Sequence, residues 1–294
     1  MIAHPNFFII GAPKCGTTSL ANWLNDHERI FFSDIKEPNF YNSDLTIHSR
    51  INRSDYSNLF KAAGKKHLAI GEATTGYLRS KLAVKNILQD CPNAKFIICI
   101  RNPVDLVISL HSELLKHGIE NQKNFWEAWM LQESRSLGRN IPFLCQDKSD
   151  LQYGKIGLLG KQVERTFEIA GKSNCLVLTL DEISHKPRNT YLKVIKFLDI
   201  PDDGRLSFTK ANAAVSMPVF LSKLLRFGSL IKRSLGITHK TGVIRITRNI
   251  FGRPGAKPIL NQHQYLELVE YFKNDIELLE NLLDTDLSSW IKSY

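Results

Sequence analysis

The sequence predicts an α/β fold of three layers, a central parallel sheet of about four to five strands flanked by helices, and two observations carry that expectation. Four short apolar runs, Phe7–Ile10, His67–Gly71, Lys95–Ile100 and Cys175–Leu180, have the length and composition of strands, and three of them end at polar or charged clusters. Helical periodicity fills the stretches around them, at Ser19–Asn25, Ser80–Gln89, Val104–Lys116, Phe125–Ser136, Gly160–Ala170 and Thr190–Leu198, with a last helix from about Gln262 to Leu283. Strand and helix in alternation make βαβ units, whose strands run parallel under a cover of helices. In such sheets ligands gather beyond the carboxyl ends of the strands. Gly11–Thr18, Gly71–Thr75, Arg101–Asn102 and Asp181–Glu182 are therefore expected to converge at one end. At 294 residues and 43% hydrophobic, the chain can bury a sizeable core. A single domain over residues 1–294 is expected, with variable segments at about 121–149 and 216–250 that form walls or a lid.

Charge is segregated along the chain. Between Gly204 and Leu266 lie eleven Lys or Arg and no Asp or Glu, while outside that stretch 28 basic residues face 29 acidic ones. This points to an anionic partner: a nucleotide, a sulfated or phosphorylated glycan, nucleic acid or a lipid surface. Within the stretch, Val219–Leu235 interleaves Phe220, Leu224, Leu225, Phe227 and Ile231 with Lys223, Arg226, Lys232 and Arg233. Three readings stand for it: packed core with a solvated basic edge, contact with a membrane surface or lipid-linked molecule, and a groove for a polyanionic glycan. The five cysteines are odd in number, scattered and free of C-x-x-C pairs, so reduced, packed thiols are expected rather than disulfides or a zinc site. No run approaches the roughly 18 apolar residues of a membrane span, and Phe7–Ile10 is too short for a signal core. The expected location is the cytoplasm.

The first strand runs into G-A-P-K-C-G-T-T-S-L (11–20), a glycine turn opening a helix. Such a turn aims several backbone N–H groups at one point where the helix dipole favours an anion, and Thr17, Thr18 and Ser19 add hydroxyls. Gly11 and Gly16 have the spacing of a P-loop, G-x-x-x-x-G-K-[ST], but Thr17 takes the lysine position and the lysine, Lys14, lies inside the loop. The fold is thus of P-loop type, with magnesium-nucleotide chemistry disfavoured because the next strand meets Arg101 rather than an aspartate. That strand opens R-N-P-V-D-L-V-I-S. Asn102 suits an N-cap, Pro103 suits the first helical position, and Ser109 follows seven residues on, along the same helical face. Read alone this is an ordinary helix start; beside the first loop it places Arg101 and Ser109 to hold a second phosphate. In D-I-K-E-P-N-F-Y (34–41), Glu37 sits in a loop that either is a plain exposed turn or returns to the phosphate end, where a carboxylate takes a proton from an attacking hydroxyl or amine.

These three pieces, in this order, resemble the sulfotransferases that use 3′-phosphoadenosine 5′-phosphosulfate (PAPS), over nearly the whole chain. P-K-C-G-T-T-S-L is similar to their 5′-phosphosulfate loop, and R-N-P-V-D-L-V-I-S to their 3′-phosphate element. K-E-P-N-F-Y and G-E-A-T-T-G-Y (71–77) resemble the branch of heparan sulfate and related carbohydrate sulfotransferases, as do G-L-L-G-K-Q-V-E-R (157–165) and D-L-S-S-W (286–290). The resemblance implies Lys14 at the leaving oxygen and Glu37 as general base. It implies donor contacts from Lys14, Cys15, Gly16, Thr17, Thr18, Ser19, Arg101 and Ser109, with Arg253 and Lys257 of F-G-R-P-G-A-K-P (251–258) as further 3′-phosphate ligands. Lys36, Glu72 and Gln162 become candidate acceptor contacts. PAPS is the implied donor, PAP the product, and no metal is required. A hydroxyl or amine on a carbohydrate, glycolipid or other small molecule is the implied acceptor, and nucleic acid is not an expected partner. Glu72 is followed by Ala73 where many of the heparan branch carry lysine, and the family's G-x-Y-x-x-Q-L appears as Gly157, Leu159 and Gln162 without the tyrosine. Two other functions fit parts of the sequence: a small-molecule kinase with a degenerate P-loop, and a non-catalytic protein that binds anions or nucleic acid.

Overall fold

The structure is a computed structural model that describes residues 4–33, 35–47, 50–209, 215–216, 253–254 and 260–292. Two compact units divide the chain, one of Met1–Leu106, Ile156–Ala211 and Glu267–Tyr294, the other of Val107–Lys155 and Asn212–Leu266.

The first unit is built on five parallel strands: β1 (Phe7–Gly11), β2 (Ile30–Phe32), β3 (Ala69–Ala73), β4 (Lys95–Ile100) and β5 (Cys175–Thr179), in the order β2-β3-β1-β4-β5. The parallel sheet with helical cover is the α/β architecture that the alternating pattern implied. β1 is central and buried at every residue, as its uninterrupted Phe-Phe-Ile-Ile run requires of a strand covered on both faces. Phe7 lies opposite Gly71 of β3 on one side and Lys95 of β4 on the other, and Phe8 stacks on Phe96 at 6.1 Å. The chain passes from β1 to the edge strand β2, returns inward to β3, then crosses to β4. The crevice where the winding reverses opens beyond the ends of β1 and β4, where a ligand is expected in such a sheet.

The helices of this unit are α1 (Thr17–Asn25), α2 (Arg53–Asn58) and α3 (Ala83–Asp90), then α4 (Pro103–Lys116), whose start belongs here and whose remainder belongs to the second unit. The second unit continues with α5 (Phe125–Met130) and α6 (Gln132–Ser136); the chain returns to the first within α7 (Tyr153–Gly157), followed by α8 (Leu159–Ala170), α9 (Leu180–His185) and α10 (Pro187–Phe197). A short antiparallel pair, β6 (Val215–Ser216) with β7 (Arg253–Pro254), precedes α11 (Gln262–Leu283) and α12 (Ser289–Lys292).

Four local differences from the sequence reading have physical causes. β2 is three residues long, below the length at which an apolar run announces a strand. β3 runs two residues beyond Gly71 because Glu72, a charge that reads as a strand end, is wholly buried and hydrogen-bonded. Leu180 leaves β5 and opens α9, since Thr179 and Glu182 form a reciprocal capping box. The segment Phe125–Ser136 is two short helices that part at Leu131; beyond the break Arg135 turns inward onto Glu120. Val219–Leu235 and Lys257 lie outside the described residues.

Candidate active site

The loop after β1 is shaped by its glycines. Gly16 has φ 85°, and a Cβ there would stand 3.0 Å from Leu180 Cδ1 and 3.3 Å from Ile183 Cδ1 of α9, so both backbone and packing demand glycine. A Cβ on Gly11 would fall 2.7 Å from that of Leu78. The helix that follows starts bare: Gly16 caps α1 without a side-chain hydrogen bond, and its first turn contains no acid. An uncapped N-terminus leaves N–H donors and the positive end of the dipole for an anion. The contrast is α9, whose N-terminus is filled by its own Thr179 and Glu182. Thr17 and Ser19 are buried, and Thr18 is half-buried.

Lys14 stands at φ 64°, in the left-handed region that a residue of its size seldom occupies. Of the six non-glycine residues at positive φ among those described, Lys14, Glu37 and Asn39 fall in this loop and in the Lys36–Tyr41 loop. Strained backbone of this kind concentrates at functional sites. Cys15 is buried, its Sγ 3.3 Å from the carbonyl of Pro13. Burial, with Cys99 adding, pushes its thiol well above the ordinary range against the pull of Arg101 and Lys14, so it stays a thiol.

Arg101, at the end of β4, reaches across the crevice to β1. Its Nη1 donates to the carbonyl of Lys14 at 3.3 Å and its Nη2 pairs with Asp105 at 3.1 Å, while its Nε is buried with no partner among the described residues. A buried guanidinium N–H left unsatisfied beside an open anion cradle fits a bound anionic group. Ser109 lies half-buried on α4, in the second unit. Arg253 pairs through its backbone with Ser216.

The Lys36–Glu37 loop returns to the first loop. Lys36 Nζ donates to Thr18 Oγ1 at 2.5 Å and lies 3.9 Å from Glu37 Oε1. Both carboxylate oxygens of Glu37 are held by one residue, Thr75, whose N–H lies 2.9 Å from Oε2 and whose hydroxyl lies 3.0 Å from Oε1. The Glu37 N–H donates to the carbonyl of Ala73 at 2.9 Å, and the chain after β3 is itself fastened to β1 by Thr74 N–H to Ile9 and Leu78 N–H to Ile10. The carboxylate is thus carried by the sheet, and its side chain remains 35% exposed, open to an incoming molecule.

Two acceptor candidates stand elsewhere. Glu72 is enclosed beneath the loop, accepting from Tyr56 and Thr74. Gln162 is buried and donates from Nε2 to the carbonyls of Ile156 and Leu158, which ties the start of α8 to the turn before it. Both are used up in packing, because a polar side chain on a buried face must find internal partners. Conversely, Thr75 and Tyr77 hold the Glu37 loop, and the sequence marks them only as members of G-E-A-T-T-G-Y.

Residues 4–215 match the sulfotransferase domain. The chain belongs to the sulfotransferase-domain family. Carbohydrate sulfotransferase 15 of Homo sapiens is 26% identical over an alignment of 249 residues that covers 67% of this chain and 44% of that protein. The sulfotransferase chain thus spans less than half the length of the curated relatives it matches. In fold, a sulfotransferase from Alicyclobacillus acidocaldarius superposes with a TM-score of 0.72 at 22% identity, covering 98% of this chain and 99% of that one. A mouse sulfotransferase solved with PAP superposes with a TM-score of 0.52 at 14% identity, over 96% and 89% of the two chains.

Proposed function

We infer that this sulfotransferase-domain protein moves the sulfuryl group of PAPS to a hydroxyl or amine of a carbohydrate-type acceptor. The observation that carries the reading is the hydrogen bond from Lys36 to Thr18, which brings the Glu37 carboxylate to the loop that bears Lys14. PAPS supplies a sulfuryl group on a phosphate leaving oxygen. In-line transfer of such a group asks for positioning and for cations where charge develops. The bare N-terminus of α1, with the hydroxyls of Thr17, Thr18 and Ser19, holds the 5′-phosphate; Lys14 neutralises the leaving oxygen. Arg101 and Ser109 take the 3′-phosphate, with Arg253 and Lys257 as further ligands. Glu37 accepts the acceptor's proton, oriented for it by Thr75. The carbohydrate part of the reading rests on the likeness to carbohydrate sulfotransferase 15. The acid-free stretch Gly204–Leu266 supplies the positive charge that suits an anionic glycan.

The test is incubation with labelled PAPS and a panel of sugars, glycolipids, alcohols and amines. Label transferred to at least one of them, abolished by Lys14→Ala and reduced at least about a hundredfold by Glu37→Gln with PAP affinity retained, is the expected outcome. Tight binding of magnesium-ATP without PAP binding would overturn the reading in favour of a kinase.

A further inference from the structure

Glu72 occupies the fourth position of β3 with no exposed surface. Its Oε2 accepts from the Tyr56 hydroxyl at 2.6 Å and its Oε1 from the Thr74 hydroxyl at 2.7 Å, and the Tyr77 side chain also hydrogen-bonds to it. No cation among the described residues pairs with it. Each of its three partners also touches the loop that carries Glu37. The Tyr77 oxygen accepts the N–H of Phe40 at 3.1 Å and of Tyr41 at 3.3 Å, which leaves its own proton for Glu72. Thr74 Oγ1 lies 3.5 Å from the N–H of Asn39. The Tyr56 ring stacks on Phe40 at 4.2 Å and 10°.

We propose that Glu72 is a positioning residue: its buried carboxylate orients three hydroxyls that fix the backbone of residues 39–41, and so fixes where Glu37 stands. An ionised carboxylate only accepts, so all three hydroxyls point their protons at it and their lone pairs elsewhere. A protonated Glu72 must donate, and one hydroxyl has to turn round. Turning Tyr77 or Thr74 gives up a hydroxyl contact that aligns the loop, whereas Tyr56 keeps its ring on Phe40. The proposal rests on the reading of Glu37 as the base.

The surroundings leave Glu72 as the group that changes charge near neutrality. Burial, with Glu37 adding, pushes it up to about 7 against the hydroxyls that pull it down. Tyr41, Tyr56 and Tyr77 are pushed well above the phenol range and Cys91 up to about 11, all chiefly by burial. The charged groups beyond these are Asp90 on α3, bonded to Tyr41 and paired with Arg53, and Arg50, whose guanidinium binds the carbonyls of Asn39, Asn42 and Leu45. Lys36 points the other way, to Thr18.

Amide exchange across residues 36–42, corrected for intrinsic rate, tests this without any transfer reaction. In the wild-type chain, protection should fall about tenfold between about pH 8.5 and about pH 5.5, with a midpoint near 7; in Glu72→Gln it should be low and independent of pH. With PAPS saturating, Glu72→Gln should lower kcat about tenfold, leave PAP affinity within about twofold and abolish the acid limb near 7. Equal protection and equal pH profiles in the two proteins would overturn the proposal. Should Glu72→Gln fail to fold, Tyr77→Phe, which keeps the carboxylate and removes its link to Phe40 and Tyr41, must by itself lower protection of residues 36–42; unchanged protection there would also overturn it. If the exchange results hold but the wild-type chain transfers nothing from PAPS, the proposed function falls and the link between Glu72 and the loop stands.

Discussion

Two buried glutamates, one in each unit, are shifted in opposite directions from the ordinary carboxyl range. Glu120, 1% exposed in the second unit, receives both arms of the fully buried Arg135 guanidinium at 2.7 Å each, the Tyr153 hydroxyl at 2.7 Å and the N–H groups of Asn121 and Gln122 at 2.8 Å. Burial would push this carboxyl up, but these donors and the charge of Arg135 outweigh it and hold Glu120 below the ordinary range. Glu72 is as deeply buried and has hydroxyls alone, so burial wins and the carboxyl rises to about 7. What separates them is whether a cation is buried with the carboxylate. The first arrangement buries a compensated pair, and the second leaves a carboxyl without a counter-ion beneath the Glu37 loop.

The largest effect expected from breaking this contrast is at the paired site. Arg135→Ala leaves the Glu120 charge buried without its counter-ion and should cost about 3–5 kcal/mol of stability in urea denaturation. Adding Glu120→Gln should recover much of that loss, because the uncompensated charge rather than the missing contact carries it. A cost below about 1 kcal/mol for Arg135→Ala would mean that water or relaxation satisfies Glu120, and the contrast would fail.

The pH dependence comes next and has opposite signs at the two sites. Glu72 binds its proton more tightly folded than unfolded, so its contribution to stability is fully present below the ordinary carboxyl value of 4.5 and is lost as pH rises through about 7. That loss is on the order of 3 kcal/mol. Glu72→Gln should remove it: relative to the wild-type chain the variant gains stability as pH rises across this window, measured by denaturation at a series of pH values. Glu120 contributes above its unfolded value, and that contribution is lost only as acid titrates it below the ordinary range. A stability difference between Glu72→Gln and wild type that stays flat with pH would show that Glu72 is paired after all.

How much of this was legible in the sequence follows the same physics. β1 and β4 were readable because uninterrupted apolar runs have little alternative to a buried strand, Lys14 and Arg101 because they follow those runs in the chain, and Glu37 only through the resemblance carried by K-E-P-N-F-Y. The Thr179–Glu182 box was present as T-x-x-E and marks where β5 gives way to α9. Glu72 and Glu120 were not readable as buried. A charged residue in a sequence reads as solvated, and the side chains that hold Glu72 come from positions 56, 74 and 77, while those that hold Glu120 come from 135 and 153. Gln162 shows the same limit: its carbonyl partners are nearby in sequence, yet nothing in the residue itself announces burial.

The smallest expected effect separates the two sites most finely. Tyr56→Phe and Tyr153→Phe each remove one hydroxyl from a buried glutamate, at 2.6 Å and 2.7 Å respectively, and leave the ring in place. At Glu72 the lost donor is one of three and no cation remains, so the carboxyl should rise further, by up to about one pH unit for a bond of about 1 kcal/mol. At Glu120 the Arg135 fork and two backbone N–H groups persist, so its titration should stay below the ordinary range even though the fold loses a similar amount. Carbon NMR of labelled glutamate carboxyls reads both midpoints directly. If Tyr153→Phe moved Glu120 toward neutrality as far as Tyr56→Phe moves Glu72, the hydroxyl rather than the guanidinium would be setting the charge, and a buried cation would no longer account for the difference between the two sites.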